Sequence, residues 1–355
     1  MLHITKTRTT TPKQKPDQTN LGFGKYFTDH MLTIDYDPEN GWHDAQIVPY
    51  GPLSLDPTAM VFHYGQEIFE GMKAYRRPDG KIQLFRPEKN AERMASSCKR
   101  MCMAQLPVED FVQAVTELVL FDQDWIPTAP ATSLYIRPFI IATDAALGVH
   151  ASRTYKFVFI LSPVGAYFKN GFNTIGIYVE DEFIRAAPGG TGAAKCGGNY
   201  AGSLAGQHKA ADMGYNQVLW LDGVHHKYVA EVGAMNMMFI IDNEVVTAPL
   251  DGTILPGVTR DSCLTILRDW GYRVSERNFS IDELIAAAKN GTLTEAFGCG
   301  TAAVISPVGK IGYRDECFEI SGNRVGPVQT RLYEQLTGIQ WGRVEDTYGW
   351  TRIIG

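Results

Sequence analysis

A chain of 355 residues exceeds the length at which one core usually stops growing, which predicts two domains. Hydrophobic residues at 45% and charged residues at 20% suit a folded globular protein, while a formal net charge of -6 argues against nucleic acid as the main partner, because counterion release needs a basic face. No apolar run reaches the roughly 18 residues of a membrane-crossing helix, and the six cysteines form neither a C-x-x-C pair nor a disulfide framework. Reduced thiols and a cytoplasmic setting are expected.

Residues 1–20 are polar and threonine-rich, with Lys6, Arg8, Lys13 and Lys15, and are predicted to form a disordered tail. From Phe23 the pattern becomes strand-like through MLTIDY, QIVPY and MVFHYG. KIQLF follows MKAYRR across Pro78-Asp79-Gly80, a hairpin signal. Between Glu88 and Ala104, Ala91, Met94, Ala95, Cys98, Met101 and Cys102 recur at helical spacing, which predicts an amphipathic helix burying both thiols. A second helix is predicted over Glu109–Asp122. Strands return at SLYIRPFII and YKFVFILS, rich in β-branched and aromatic residues.

The stretch 164–173 bears glycine and aromatic residues near the chain midpoint and is expected to link a small domain, 21–163, to a large one, 174–355. Beyond it TIGIYVED reads as a strand, and hairpins are predicted around Asp222-Gly223 and Asp242-Asn243. Helices are expected at Val258–Trp270, Ile281–Lys289 and Pro327–Thr337. Ser280 with Glu283 forms a capping box, and Asn290-Gly291 ends that helix. The fold class is α+β: two domains of mixed and antiparallel sheets with flanking helices.

The stretch richest in chemistry is GGTGAAKCGGNY, residues 189–200, where Lys195 is the one charge among glycines and alanines. Glycines cost backbone entropy, so this density implies positive φ or close approach by something bulky, a ligand included. A phosphate-binding loop fails on spacing: Ala194 precedes the lysine and Cys196 follows it. The dinucleotide fingerprint fails because Lys195 stands where its last glycine belongs. A surface loop with an incidental lysine stays open. A lysine bonding a carbonyl cofactor is the third reading, with pyridoxal phosphate the obvious carbonyl. Such a cofactor needs an acid at its pyridine nitrogen and an arginine and a helix N-terminus at its phosphate. Glu231, in HKYVAEVGAMN, and Gly257-Val258-Thr259 are candidates for the acid and the helix start.

From Gly22 to the C-terminus the chain resembles the branched-chain amino acid aminotransferases, pyridoxal-phosphate enzymes of fold type IV. The resemblance rests on the shared order of FHYGQEIFEGMKAY, FRPEKNAERM, LYIRP, SPVGAYF, GGTGAAKCGGNY, QVLWLDG, EVGAMNMMF, ILPGVTRDS and FGCGTAAVISPVG. It implies a D-amino acid aminotransferase-like architecture, pyridoxal 5'-phosphate as cofactor, and reversible transamination of L-leucine, L-isoleucine and L-valine with 2-oxoglutarate. By resemblance, Lys195 is the Schiff-base and proton-transfer lysine, and Tyr200 bonds the cofactor's phenolic oxygen. Glu231 pairs with the pyridine nitrogen, and Arg93, Val258, Thr259 and Thr301 hold the phosphate.

Tyr135 and Arg137, two apart on one strand face, suit a carboxylate, and the resemblance implies that they bind the substrate carboxylates with the backbone N–H groups of Thr301 and Ala302. Phe23, Tyr64 and Phe69 resemble side-chain pocket residues, and the resemblance implies a homodimer in which Tyr64, Leu147 and Val149 come from the partner subunit. No metal is implied. Ala303 and Ser306 stand where mammalian members carry a redox C-x-x-C, and Ala234 replaces a common threonine or glycine. Within this fold, a D-amino acid aminotransferase or an aminochorismate lyase is the nearest alternative.

Overall fold

Short apolar and aromatic runs build two sheets with flanking helices, and a computed structural model describes residues 1–165 and 172–355. Two compact units result: Met1–Lys169 with Ala194–Gly197 and Gly338–Gly355, and Asn170–Ala193 with Gly198–Thr337. Residues 166–171 of the expected linker lie outside the described residues. The C-terminal segment, expected in the second domain, belongs instead to the first.

The first part of the chain forms β1 (Thr5–Lys6), β2 (His30–Asp37), β3 (Gly41–Pro49), α1 (Met60–Tyr64), β4 (Glu67–Phe69), β5 (Met72–Arg76), β6 (Ile82–Phe85), α2 (Pro87–Arg100), α3 (Val108–Phe121), β7 (Ser133–Ala142) and β8 (Tyr155–Val164). The second part forms β9 (Ile175–Glu180), α4 (Gly197–Ala201), α5 (Leu204–Asp212), β10 (Gln217–Leu221), β11 (Val229–Val232), β12 (Met235–Ile241), β13 (Glu244–Thr247), α6 (Val258–Asp269), β14 (Arg273–Glu276), α7 (Ile281–Asn290), β15 (Leu293–Gly300), β16 (Val304–Tyr313), β17 (Glu316–Glu319), α8 (Pro327–Gln340) and β18 (Thr351–Ile353).

Among the described residues the first unit holds one sheet, ordered β1-β3-β2-β8-β7-β5-β6-β18 with β4 also on β7. Its strands are antiparallel except at β1, which runs parallel to β3. Leu134, Ile136 and Ile140 of β7 join Phe111, Val115 and Leu118 of α3 in one apolar core. The intervening residues Tyr135, Arg137 and Phe139 therefore stand on the opposite face of the sheet.

In the second unit the sheet runs β11-β10-β9-β16-β15-β12-β13-β14, with β17 on β16. Pairing of Glu231 with Asn236 and of Val232 with Met235 also joins β11 to β12. That extra pairing closes a ring through β9, β10, β11, β12, β15 and β16, so backbone groups that would lie on an open edge are satisfied. The hairpins expected around residues 222–223 and 242–243 form, the second through positive φ at both Asp242 and Asn243. Ser280 accepts the Glu283 N–H and Gly291 closes α7 at φ +81, as its capping residues predict. Among the described residues no helix is long and apolar enough to cross a membrane.

Three expectations need correction. MVFHYG is not a strand: Met60–Tyr64 is a short helix closed by Gly65 at φ +58, an ambiguity inherent in short apolar runs. The helix expected to reach Ala104 ends at Arg100, because Cys102 takes φ +55 and lets the Met103 N–H reach Cys98 O at 2.9 Å. Cys98 is thus buried and Cys102 exposed.

The third concerns residues 1–20, which are ordered rather than a free tail. Thr5 and Lys6 pair with Gln46 and Ile47, Lys13 Nζ lies 4.1 Å from the centre of the Tyr50 ring, and the Arg8 guanidinium stacks on Phe121. The Thr9 N–H donates to His30 Nε2 at 2.8 Å. That bond assigns the proton of the buried imidazole to Nδ1, 2.6 Å from Asp122 Oδ1. His30→Ala removes the imidazole partner of Asp122 Oδ1 and of the Thr9 amide, while Asp122 Oδ2 keeps the main-chain N–H of residue 30, and should cost about 2–4 kcal/mol. Urea denaturation measures that loss, and trypsin should cut faster at Lys6, Arg8 and Lys13.

Candidate active site

Lys195 is held by its neighbours before its amine does anything. Ala194 and Cys196 are buried in the core of the first unit, so the residue between them is turned to the other side. Its main chain is fixed twice more: the Lys195 N–H donates to Ser97 Oγ of α2 at 3.0 Å, and Lys195 O accepts the Phe69 N–H of β4 at 2.9 Å. A third tether joins the Gly197 N–H to Glu67 Oε1.

The glycines around Lys195 mostly make room for the protein itself. A Cβ on Gly197 would stand 2.1 Å from Glu67 Oε1, and one on Gly192 would stand 2.4 Å from the Thr253 carbonyl oxygen. Gly189 needs its φ of +76, whereas Gly198 faces open space. The sequence reading of close approach was sound, but at Gly192 and Gly197 the approaching group is protein rather than ligand.

Burial lowers the Lys195 amine to about 8, with the Arg93 charge acting in the same direction and Glu70 opposing both. Arg93 is aligned by a residue that the sequence reading missed. Its Nε and Nη2 donate to the two oxygens of the fully buried Glu70 at 2.7 and 2.8 Å, and Asn90 Nδ2 adds 2.8 Å. The clue was present in FEG and NAER: an acid in an apolar run and an arginine in a helix that buries one face. Burial pushes Glu70 up, but the charge and hydrogen bonds of Arg93, with Lys195 and Asn90, together hold it below its ordinary range.

On the sheet face away from the core, the Phe69 ring lies 4.6 Å from both Lys195 Nζ and the Arg137 guanidinium. Arg137 Nη2 donates to Tyr135 Oη at 3.0 Å, and Phe23 meets Tyr135 edge to face. The same phenol explains Gly71, whose Cβ would lie 2.2 Å from Tyr135 Oη. The first unit thereby brings together Lys195, Arg93, Phe69, Tyr135, Arg137 and Phe23. Tyr64 Oη instead bonds Leu147 O; Tyr64, Leu147, Val149 and Phe62 are exposed.

The second unit carries the other set. Glu231 on β11 is 2% exposed, which rules out a solvated acid at a strand end. Its Oε1 accepts from Asn236 Nδ2 at 2.7 Å and from the Leu255 N–H at 3.0 Å, and its Oε2 lies 2.8 Å from Arg185 Nε. Arg185, to which the sequence reading gave no role, also donates to the carbonyls of Thr253 and Gly192 at 2.7 and 3.3 Å. Val258 and Thr259 open α6 after Gly257, where a Cβ would meet Asn236 Oδ1 at 2.0 Å. Thr301 and Ala302 form the turn from β15 to β16, which closes with Val304 at φ +61, unusual for a β-branched residue and common where function dictates backbone. Tyr200 lies in α4.

Taken by their chemistry, these groups are an amine of lowered basicity, an arginine fixed by a buried acid, a second buried carboxylate and a helix start. The pair in the first unit suits a carbonyl compound that carries an anion, and the pair in the second suits a ring nitrogen able to hold a proton and an anionic group. Among the described residues no cluster of His, Cys, Asp or Glu could hold a metal ion.

A family model described as Amino-transferase class IV matches residues 67–311. The chain is 54% identical to branched-chain-amino-acid aminotransferase 2 of Bacillus subtilis (strain 168), covering 98% of this chain and 95% of that one. Among solved structures, the Escherichia coli branched-chain amino acid aminotransferase superposes with a TM-score of 0.78 at 26% identity, covering 92% of this chain and 99% of that one. A second solved branched-chain amino acid aminotransferase, from T.th. and with pyridoxamine 5'-phosphate, gives 0.76 at 27%, covering 91% and 98%. The chain belongs to the class IV aminotransferases and, within them, to the branched-chain-amino-acid aminotransferases. The expected fold type IV architecture is the one observed.

With Lys195 lowered to about 8, its amine should be mostly protonated and unreactive at pH 6 and largely free at pH 9. Acylation of Lys195 in cofactor-free protein, followed by peptide mass mapping across pH, should trace that midpoint. Glu70→Gln removes the charge that favours the ammonium form and should lower the midpoint further, by roughly one unit.

Proposed function

We propose that this chain catalyses pyridoxal 5'-phosphate-dependent transamination of L-leucine, L-isoleucine and L-valine with 2-oxoglutarate, reversibly yielding the branched-chain 2-oxo acids and L-glutamate. The observation that carries the reading is Lys195, whose flanking side chains are locked in the core while burial and Arg93 favour its neutral amine. The cofactor, when bound, supplies a carbonyl for that amine and a ring that accepts electrons from the substrate's α-carbon.

The chain's own groups then divide the work. Lys195 would hold the cofactor at rest and, once freed by the substrate's amino group, its amine would take the α-proton and deliver it two bonds away, across the substrate's nitrogen. Its long stem suits both positions. Glu231, held in place by Arg185, Asn236 and Leu255, favours a protonated pyridine nitrogen. Tyr200 donates to the phenolic oxygen. Arg93, Val258, Thr259 and Thr301 hold the phosphate, with Glu70 fixing the plane of Arg93.

For substrate, Tyr135 and Arg137 bind carboxylate together with Thr301 and Ala302, while Phe23 and Phe69 provide apolar surface. The exposed Phe62, Tyr64, Leu147 and Val149 support assembly with a second copy, in which Tyr64 and the 147–149 segment contribute to the partner's pocket. Six free cysteines fit a reducing cytoplasm.

Borohydride reduction of the cofactor-loaded protein should place a pyridoxyl adduct on Lys195 by peptide mass mapping, and an adduct on another lysine would sink the assignment. Lys195→Ala should abolish turnover of L-leucine with 2-oxoglutarate, whereas D-alanine should be a poor donor for the unaltered enzyme. Glu231→Ala should retain cofactor but slow single-turnover α-proton removal by about 100-fold or more.

A further inference from the structure

One carboxylate on the Phe69 face has no part in the scheme above. Glu67 pairs with Ile141 and Phe69 with Phe139, so Glu67, Phe69, Arg137 and Tyr135 share one face of the sheet. Glu67 is half-buried; its Oε1 accepts the Gly197 N–H, and among the described residues its other oxygen makes no hydrogen bond. Arg137 spends one N–H on Tyr135 and lays its guanidinium on the Phe69 ring, and its buried Nε has no acceptor among the described residues. No described carboxylate pairs with Arg137 directly, and its charge reaches Glu67.

We propose that Glu67 is a specificity-determining residue, which sets the balance between dicarboxylate and apolar substrates by competing with an incoming carboxylate for the field of Arg137. This rests on Arg137 binding substrate carboxylate, as read above. One pocket must accept zwitterionic leucine, with no net charge, and 2-oxoglutarate, with two negative charges. A fixed anion on the face that carries Arg137 penalises the second far more than the first. Burial pushes Glu67 up from its ordinary range, opposed by the Gly197 N–H and by Arg137. The penalty should therefore fade as pH falls and Glu67 takes a proton. The other titratable or charged groups on this face are Tyr135, Lys73 opposite it on β5, whose amine burial lowers to about 7, Lys156 opposite Ile141 and paired with Asp35, and, across the Phe69 ring, Lys195; from α2, packed against β4, Arg93 is neutralised by Glu70.

The test is the holoenzyme's KM for 2-oxoglutarate and for L-leucine, in unaltered protein and Glu67→Gln, from pH 5.5 to 8.5 at low salt. Glutamine still offers an oxygen to the Gly197 N–H, so the Lys195 segment keeps its tether. At pH 8.5 the variant should show a KM for 2-oxoglutarate about three- to tenfold lower, with the KM for L-leucine and kcat within about twofold. The gap for 2-oxoglutarate should narrow as pH falls. Equal shifts for both substrates would mean that Glu67 only supports the backbone, and an unchanged ratio would overturn the proposal outright. If the variant does not fold, the pH series on the unaltered enzyme decides: a 2-oxoglutarate KM that fails to fall relative to that of leucine on acidification overturns it. Arg137→Met separates the two readings, because a normal KM for 2-oxoglutarate there removes the role of Arg137 itself.

Discussion

The burial of Ala194 and Cys196 on either side of Lys195 is the contact on which the chemistry depends. A lysine on a free loop keeps its hydration and its ordinary basicity, and its long stem samples many positions. Here two small apolar side chains sink into the first unit's core, Ser97 and Phe69 bond the lysine's main chain, and Glu67 bonds Gly197. The side chain left over has lost water and gained Arg93 as a neighbour, and both effects favour the neutral amine. Small residues are needed on either side because the segment lies against other main chain and carboxylate.

Charge on this face is compensated in pairs, and the pairs differ in kind. Glu70 and Arg93 are buried together with matched hydrogen bonds, so each would be costly without the other and the arginine is fixed in one orientation. Arg137 is instead balanced at a distance by Glu67 and steadied by an aromatic ring and a phenol. The first arrangement suits a group that holds the same anion throughout a reaction. The second suits one that must release its ligand and accept another. In the second unit, Arg185 does for Glu231 what Glu70 does for Arg93, fixing the orientation of a buried charged partner.

Much of this was legible beforehand where the signal is local. The positive-φ turn at Asp242-Asn243, the Ser280 cap and the Gly291 stop are set by side chains within a few residues of the backbone they shape. The shared face of Tyr135 and Arg137 follows from strand geometry alone. The misses have a common cause in contacts distant along the chain. Residues 1–20 have no apolar period, yet their order comes from Ile47, Tyr50, Phe121 and His30. Cys102 lost its helix to a cap whose bond spans Cys98 to Met103, a choice that periodicity does not register.

By itself the sequence singled out Lys195 as the candidate amine, and determined the family through the order of its motifs and the strand and helix periods that carry them. Those depend on residue type and spacing, which a linear chain records. Tertiary structure decided which acid orients which arginine, why Gly71, Gly192 and Gly197 cannot carry a side chain, and how far the Lys195 amine is depressed. Pairings such as Glu70 with Arg93 or Arg185 with Glu231 span tens of residues, and their strength depends on exclusion of water. Only packing determines where water is excluded.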